Sequence, residues 1–166
     1  MLKVSAEIIM QVITEGIYYF NMLGEINSAS NLFVSEDTIK GNKCGKKIYF
    51  KWEDLSKKFY LTKEQAEEEA KKYLDSVLKY VDLKTLKKIV KLKQNDKFYY
   101  VENNYIYTST LESYSHWNKY RKMFVEIIEY DDDYGGGYHE NEYPISEYGK
   151  TWALTRKELN VNEKDN

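Results

Sequence analysis

The residues with most chemistry to offer lie between Glu126 and Glu142, where seven carboxylates fall without one lysine or arginine among them. The run reads Tyr130-Asp131-Asp132-Asp133-Tyr134-Gly135-Gly136-Gly137-Tyr138-His139-Glu140-Asn141-Glu142. Asp131, Asp133 and Glu142 stand at the first, third and twelfth places of a calcium loop, but Gly135 at the fifth has no side-chain oxygen to give. No metal or cofactor is therefore expected. A hairpin whose glycines turn the tip and whose acids stay in water accounts for the same residues. Carboxylates interleaved with tyrosines would also form an anionic prong able to enter a basic groove, as a phosphate mimic does. The expected partner contacts are Tyr130, Asp131, Asp132, Asp133, Tyr134, Tyr138, Glu140 and Glu142, joined by Tyr114, Trp117 and Tyr120.

Catalytic equipment is sparse. The chain has two histidines, His116 and His139, and one cysteine, Cys44, in a Lys-Cys-Gly turn. It contains no Gly-x-Ser-x-Gly or Walker-type loop, so no residue is assigned a catalytic role and an enzyme is not expected. Glu67-Glu68-Glu69 cannot converge on one point, because adjacent residues on a helix diverge. The opposite pole runs from Lys84 to Lys97, with six lysines and one aspartate. Lys87, Lys88, Lys91 and Lys93, followed by Tyr99 and Tyr100, could hold single-stranded nucleic acid by phosphate contacts and stacking. Against that stand a net charge of −2 and only two arginines, Arg121 and Arg156. An edge strand protected by lysines explains the same run.

These residues must be positioned by elements that a repeated phrase reveals. Lys57-Lys58-Phe59-Tyr60-Leu61-Thr62-Lys63-Glu64-Gln65-Ala66 returns as Lys150-Thr151-Trp152-Ala153-Leu154-Thr155-Arg156-Lys157-Glu158-Leu159, at an offset of 93. Upstream, Phe50, Trp52 and Leu55 face Tyr143, Ile145 and Tyr148 at that same offset. Further upstream, Ile17-Tyr18-Tyr19-Phe20 matches Phe98-Tyr99-Tyr100-Val101, and Ile8-Ile9 matches Ile89-Val90, at an offset of 81. The twelve-residue difference points to an insertion in the second copy, at 130–141. Thr62 with Gln65 and Thr155 with Glu158 place a hydroxyl at a helix N-cap and an amide or carboxylate three residues on. The first helix then carries Ala66, Ala70, Tyr73, Leu74, Val77, Leu78 and Val81 at helical spacing, about five turns. Lys97–Thr110 predicts a hairpin about Asn103-Asn104, since Asn tolerates positive φ. Lys119–Tyr130 and Glu142–Trp152 predict further strands.

The expected fold is α+β: a tandem duplication of a small bent antiparallel β unit, of SH3-like barrel type, each copy closed by a Thr-capped helix. The expected domains are 1–82 and 83–159, with residues 160–166 a disordered tail. No apolar stretch nears the ~20 residues of a membrane span, and the start lacks a signal peptide's apolar core, so a cytoplasmic protein is expected. The 17 tyrosines divide between sheet faces and exposed contacts.

The ending Gly149-Lys150-Thr151-Trp152-Ala153-Leu154-Thr155-Arg156-Lys157-Glu158-Leu159 resembles the Gly-Lys-x-aromatic-x-Leu-Thr-x-Glu-Glu-Ala ending of small uncharacterised phage and mobile-element proteins of low-GC Gram-positive bacteria. The first copy has Ser56 for the glycine, and the second has Lys157-Glu158-Leu159 for Glu-Glu-Ala. The resemblance brings no catalytic residues, and with the sparse catalytic equipment it leads to the expectation of a non-enzymatic accessory protein that binds a host macromolecule, a host protein in the first instance. Together with the prong, it makes an anti-CRISPR-like inhibitor of a defence nuclease the leading expectation. A small-barrel single-stranded nucleic-acid-binding protein is the alternative.

Overall fold

A computed structural model describes residues 3–112, 114–131 and 133–161. Among them are three α-helices and eleven strands, all paired antiparallel in small sheets. The chain divides into two units, one running to Asp75 and one beginning at Ser76.

The first unit starts with helix α1 (Ala6–Glu15), capped by the Ser5 hydroxyl, which accepts the Ile8 N–H at 3.3 Å. Gly16 ends it at φ +81°, where a Cβ would lie 2.1 Å from the Ala29 carbonyl oxygen. Only glycine permits so close a handover from helix to sheet. Strands β1 (Ile17–Phe20) and β2 (Ile26–Ala29) form a hairpin, and β3 (Phe33–Val34), β4 (Thr38–Lys43) and β5 (Lys46–Lys51) form a meander. Val12, Ile17, Ala29, Leu32, Ile39, Ile48, Trp52 and Phe59 make the core. A 3₁₀ turn, Trp52–Asp54, then leads to a bridge between Leu55 and Phe59 and another between Tyr60 and Tyr18. Thr62 accepts the Gln65 N–H at 3.3 Å and starts α2 (Lys63–Val77), which buries Ala66, Ala70, Tyr73 and Val77.

The second unit contains α3 (Leu83–Ile89), the hairpin of β6 (Lys97–Glu102) and β7 (Tyr105–Thr110), and the meander of β8 (Tyr114–Asn118), β9 (Met123–Tyr130) and β10 (Gly137–Pro144). Asn103 and Asn104 turn the first hairpin at φ 50° and 66°, as the sequence predicts. A 3₁₀ turn, Ile145–Glu147, precedes a bridge between Tyr148 and Trp152, and β11 (Trp152–Ala153) pairs with β6. Thr155 forms a capping box with Glu158, but only the 3₁₀ turn Arg156–Glu158 follows before Leu159 ends it, so the Thr-capped helix expected to close the second copy does not form. Aromatic packing fills this core, with Tyr143 against Phe98 at 4.8 Å and Tyr148 edge-on to Trp152 at 5.0 Å between ring centroids.

The backbone bonds of the repeated phrase coincide. Ser56 N–H donates to Phe59 O at 2.8 Å, and Gly149 N–H donates to Trp152 O at 2.8 Å. Lys57 N–H donates to Asp54 O, and Lys150 N–H to Glu147 O, both at 3.0 Å. The pair Tyr18 and Tyr60 corresponds to Tyr99 and Ala153, one partner at each of the two sequence offsets.

Several expectations need correction. Among the described residues no sheet closes into a barrel: β1–β2 meets the rest of its unit at the Tyr18–Tyr60 bridge, and each meander stops at three strands. A barrel needs an unbroken ring of strand pairing. Helix α2 ends at Val77, well short of Val81. The lysine run is not an edge strand, because Asp82 Oδ1 accepts the Thr85 N–H at 2.6 Å and starts α3. Lys119–Lys122 is a turn, and Glu142–Trp152 remains extended only to Pro144. Ile8-Ile9 opens α1 whereas Ile89-Val90 closes α3, so these two pairs are not equivalent. Residues 162–166 of the expected tail lie outside the described residues.

Candidate functional site

The sequence places the prong on the β9–β10 hairpin, and the strand register decides what each side chain does there. Tyr130 pairs with Gly137 and Tyr138 with Glu129, so the two tyrosines project from opposite faces. Tyr130 lies over Gly137, where a Cβ would meet its hydroxyl oxygen at 2.6 Å, and its ring is 6.1 Å from that of His139. A side chain at 137 would push this ring away. Tyr138 shares the other face with Glu140 and Ile127, and Tyr114 of β8 pairs with Ile127 on that face. Tyr138 is 68% exposed, Tyr114 62%, and Tyr134 at the tip is fully exposed. Glu129, Asp131 and Asp133 are exposed too, while Asp132 lies outside the described residues.

Glu140 and Glu142 are less available than the sequence suggests. Arg121, in the turn between β8 and β9, bonds Glu142 through Nη2 and sits 3.8 Å from Glu140 through Nη1. The cation missing from the 126–142 run arrives from five residues upstream. This arrangement also ties up the glutamate at the twelfth place of the calcium pattern. Among the described residues no three His, Cys, Asp or Glu side chains converge as a metal would require.

Trp117, expected at the surface, is 2% exposed. It pairs with Phe124 across β8 and β9, and that parity turns both rings into the core. Tyr120 is exposed as expected, with the Lys119 ammonium 4.9 Å from its ring centroid. Burial pushes the Lys119 ammonium down to about 8, so it titrates just above neutral pH.

On the basic side, Lys87 and Lys88 stand in the last turn of α3, and with Lys91 and Lys93 they are exposed. Tyr99 and Tyr100 do not join them as a stacking platform. Both are half-buried, and Tyr100 stacks on Tyr107 at 5.5 Å.

Glu126, counted in the sequence among acids facing water, is instead 2% exposed on the inner face of β9, a role its composition did not reveal. Its Oε1 accepts the Glu112 N–H at 3.2 Å and its Oε2 accepts the Tyr143 O–H at 3.4 Å. Burial first, and then the Glu126 charge, push the Tyr143 phenol far above its ordinary range. A carboxylate sharing strand parity with Phe124 was the available signal, but the apolar run Phe124-Val125-Glu126-Ile127-Ile128 hides the alternation.

No helix among the described residues is long and apolar enough to cross a membrane. No family model, curated protein or solved structure matches the chain.

Proposed function

We propose that the chain is a tandem duplication of one α+β unit and acts by binding a partner protein, with the β9–β10 hairpin as its contact. The observation that carries this reading is the exposure of Tyr134, Tyr138 and Tyr114 beside exposed Glu129, Asp131 and Asp133. Tyrosine brings large rigid area to an interface at little entropic cost, and the carboxylates fit a positively charged groove. A nucleic-acid channel in a host nuclease has that charge, and its blockade is an activity that a mobile-element protein would use against a host. The protein then has no catalytic step of its own and works in the cytoplasm of the host.

The test is capture from nuclease-treated host lysate, followed by a binding assay with the captured protein. Replacing Asp131 and Asp133 by Ser and Tyr134 and Tyr138 by Ala should abolish binding while circular dichroism stays unchanged. Retained affinity in that variant sinks the proposal. The alternative, single-stranded nucleic acid on the α3 lysines, gains from their exposure but loses its stacking residues, because Tyr99 and Tyr100 are half-buried. Oligonucleotide affinity that falls steeply with salt and is lost on removing Lys87 and Lys88 would favour it.

A further inference from the structure

Near the base of the β9–β10 hairpin, the second unit holds a cavity of about 300 Å³ whose chemistry is opposite to that of the tip. Lys79, Arg121 and Lys122 line it, together with Ser76, Tyr80 and Ser146, and no carboxylate is part of the lining. Arg121 is already met by Glu142 and Glu140, so the positive charge that an incoming anion would find at this concavity is chiefly that of Lys79 and Lys122.

The turn that presents two of these cations is firmly built. Asn118 Oδ1 accepts the N–H groups of Tyr120 at 3.1 Å and Arg121 at 3.0 Å, and Lys122 O accepts the N–H of buried Ile145 at 3.0 Å. Lys122 holds φ 53°, in the left-handed region that glycine or asparagine occupies with less strain. The chain thus keeps a lysine where the backbone favours a residue without its charge. Arg121 is already oriented by Glu142 and Glu140, and a guanidinium has five N–H donors, more than those two contacts consume.

We propose that this cavity binds a small phosphate monoester. Lys79, Lys122 and Arg121 neutralise the phosphate dianion, and the Ser146 hydroxyl donates to one of its oxygens. Tyr80, 48% exposed, offers a ring to the group that carries the phosphate. The volume stands at the low end of small-molecule pockets, about 300–1,000 Å³. That suits a mononucleotide or a sugar phosphate better than a polymer threaded through. The site is independent of the partner contact at the hairpin tip.

The experiment is calorimetric titration of the whole chain at low salt with inorganic phosphate, adenosine monophosphate and a single-stranded oligonucleotide. Lys122→Gly removes the charge and relieves the backbone, so its fold is safe. Lys79→Gln removes a second charge at an exposed position. The expected result is saturable binding of phosphate and tighter binding of the monophosphate. Each substitution should weaken that binding about tenfold or more, while a Lys87→Gln, Lys88→Gln control on α3 leaves it unchanged. Absence of binding to the wild-type chain overturns the proposal, as does equal loss in the α3 control. Tighter binding of the oligonucleotide through Lys79 and Lys122 would overturn the assignment to a small ligand.

Discussion

The two units pass through the same succession of a helix, a hairpin, a three-stranded meander, a 3₁₀ turn and a bridge back to the hairpin, and then a Thr-started segment that is the 15-residue α2 in the first unit and the 3₁₀ turn Arg156–Glu158 in the second. Beyond that closing segment, they part company at the tip of the meander. Cys44 and Gly45 alone connect β4 to β5, whereas residues 131–136 connect β9 to β10, and the second hairpin is two residue pairs longer. A second difference lies inside. By strand register Gly41 of β4 corresponds to Glu126 of β9. At Gly41 a Cβ would meet Leu32 Cδ2 at 2.6 Å, so a neighbouring leucine fills the space. At Glu126 the side chain fills it and accepts two hydrogen bonds. The shared frame is built from backbone bonds and aromatic plugs, and the exposed acids and tyrosines stand where the frames differ.

The shared frame breaks most severely at its plugs. Phe59 and Trp152 occupy the same place in the phrase, at 0% and 1% exposure. Phe59→Ala and Trp152→Ala should each cost about 3–5 kcal/mol, read by urea denaturation. A small loss at one and a large loss at the other would show that the plugs are not equivalent.

Alkali should separate the units. Burial, then Glu126, raises Tyr143; burial, then Glu158 against the Leu154 N–H, raises Tyr148. Tyr19 and Tyr60 of the first unit are also raised by burial. Below pH 10 each phenol keeps its proton in both folded and unfolded chains, and this contribution is complete. Above it the unfolded chain releases protons that the fold must retain, so stability falls as pH rises. The second unit, with the larger shifts, should open first. Trp52 is the first unit's tryptophan, and Trp117 and Trp152 belong to the second. Fluorescence of a Trp52→Phe variant through an alkaline titration therefore follows the second unit. Loss of signal no earlier than that of Trp52 in a Trp117→Phe, Trp152→Phe variant would refute the ordering.

The internal difference is tested by exchange. Glu126→Ala strips two donors of their acceptor and should cost about 1–3 kcal/mol. Gly41→Ala drives a methyl into Leu32 and should cost a similar amount, about 1–3 kcal/mol, through overpacking. A neutral Glu126→Ala would mean that the carboxylate contributes nothing to the packing of β9.

Much of this frame was legible because it rests on local rules. The Asn103-Asn104 turn, the Thr62 and Thr155 starts and the offset of 93 each depend on residues close in sequence. What depends on parity or on distant assembly was not. Trp117 reads as an exposed aromatic until its pairing with Phe124 is known. Helix α3 spans seven residues, too few for a period to emerge from a run of lysines. The tip's charge was legible as composition, but its partial neutralisation by Arg121 depends on how the β8–β9 turn folds. The proposed phosphate cavity draws on Ser76, Lys79 and Tyr80, on Arg121 and Lys122, and on residues 144–146, which no window of sequence joins.

The mildest test concerns one turn. Ser56 and Gly149 occupy equivalent positions at φ 60° and 78°, and each donates its N–H across the turn at 2.8 Å. A left-handed residue with a Cβ pays a steric cost that glycine does not, about 1–2 kcal/mol. The greater freedom of glycine in the unfolded chain offsets part of that gain. Ser56→Gly should therefore stabilise the first unit by about 0.5–1 kcal/mol. Gly149→Ser should cost more than the reverse gains, because a Cβ there also comes within 3.2 Å of the Glu158 carbonyl oxygen. Denaturation midpoints of the two variants measure both effects. Opposite signs would show one turn geometry serving both units with different residues, whereas destabilisation by both would mean that Ser56 makes a contribution its glycine counterpart does not share.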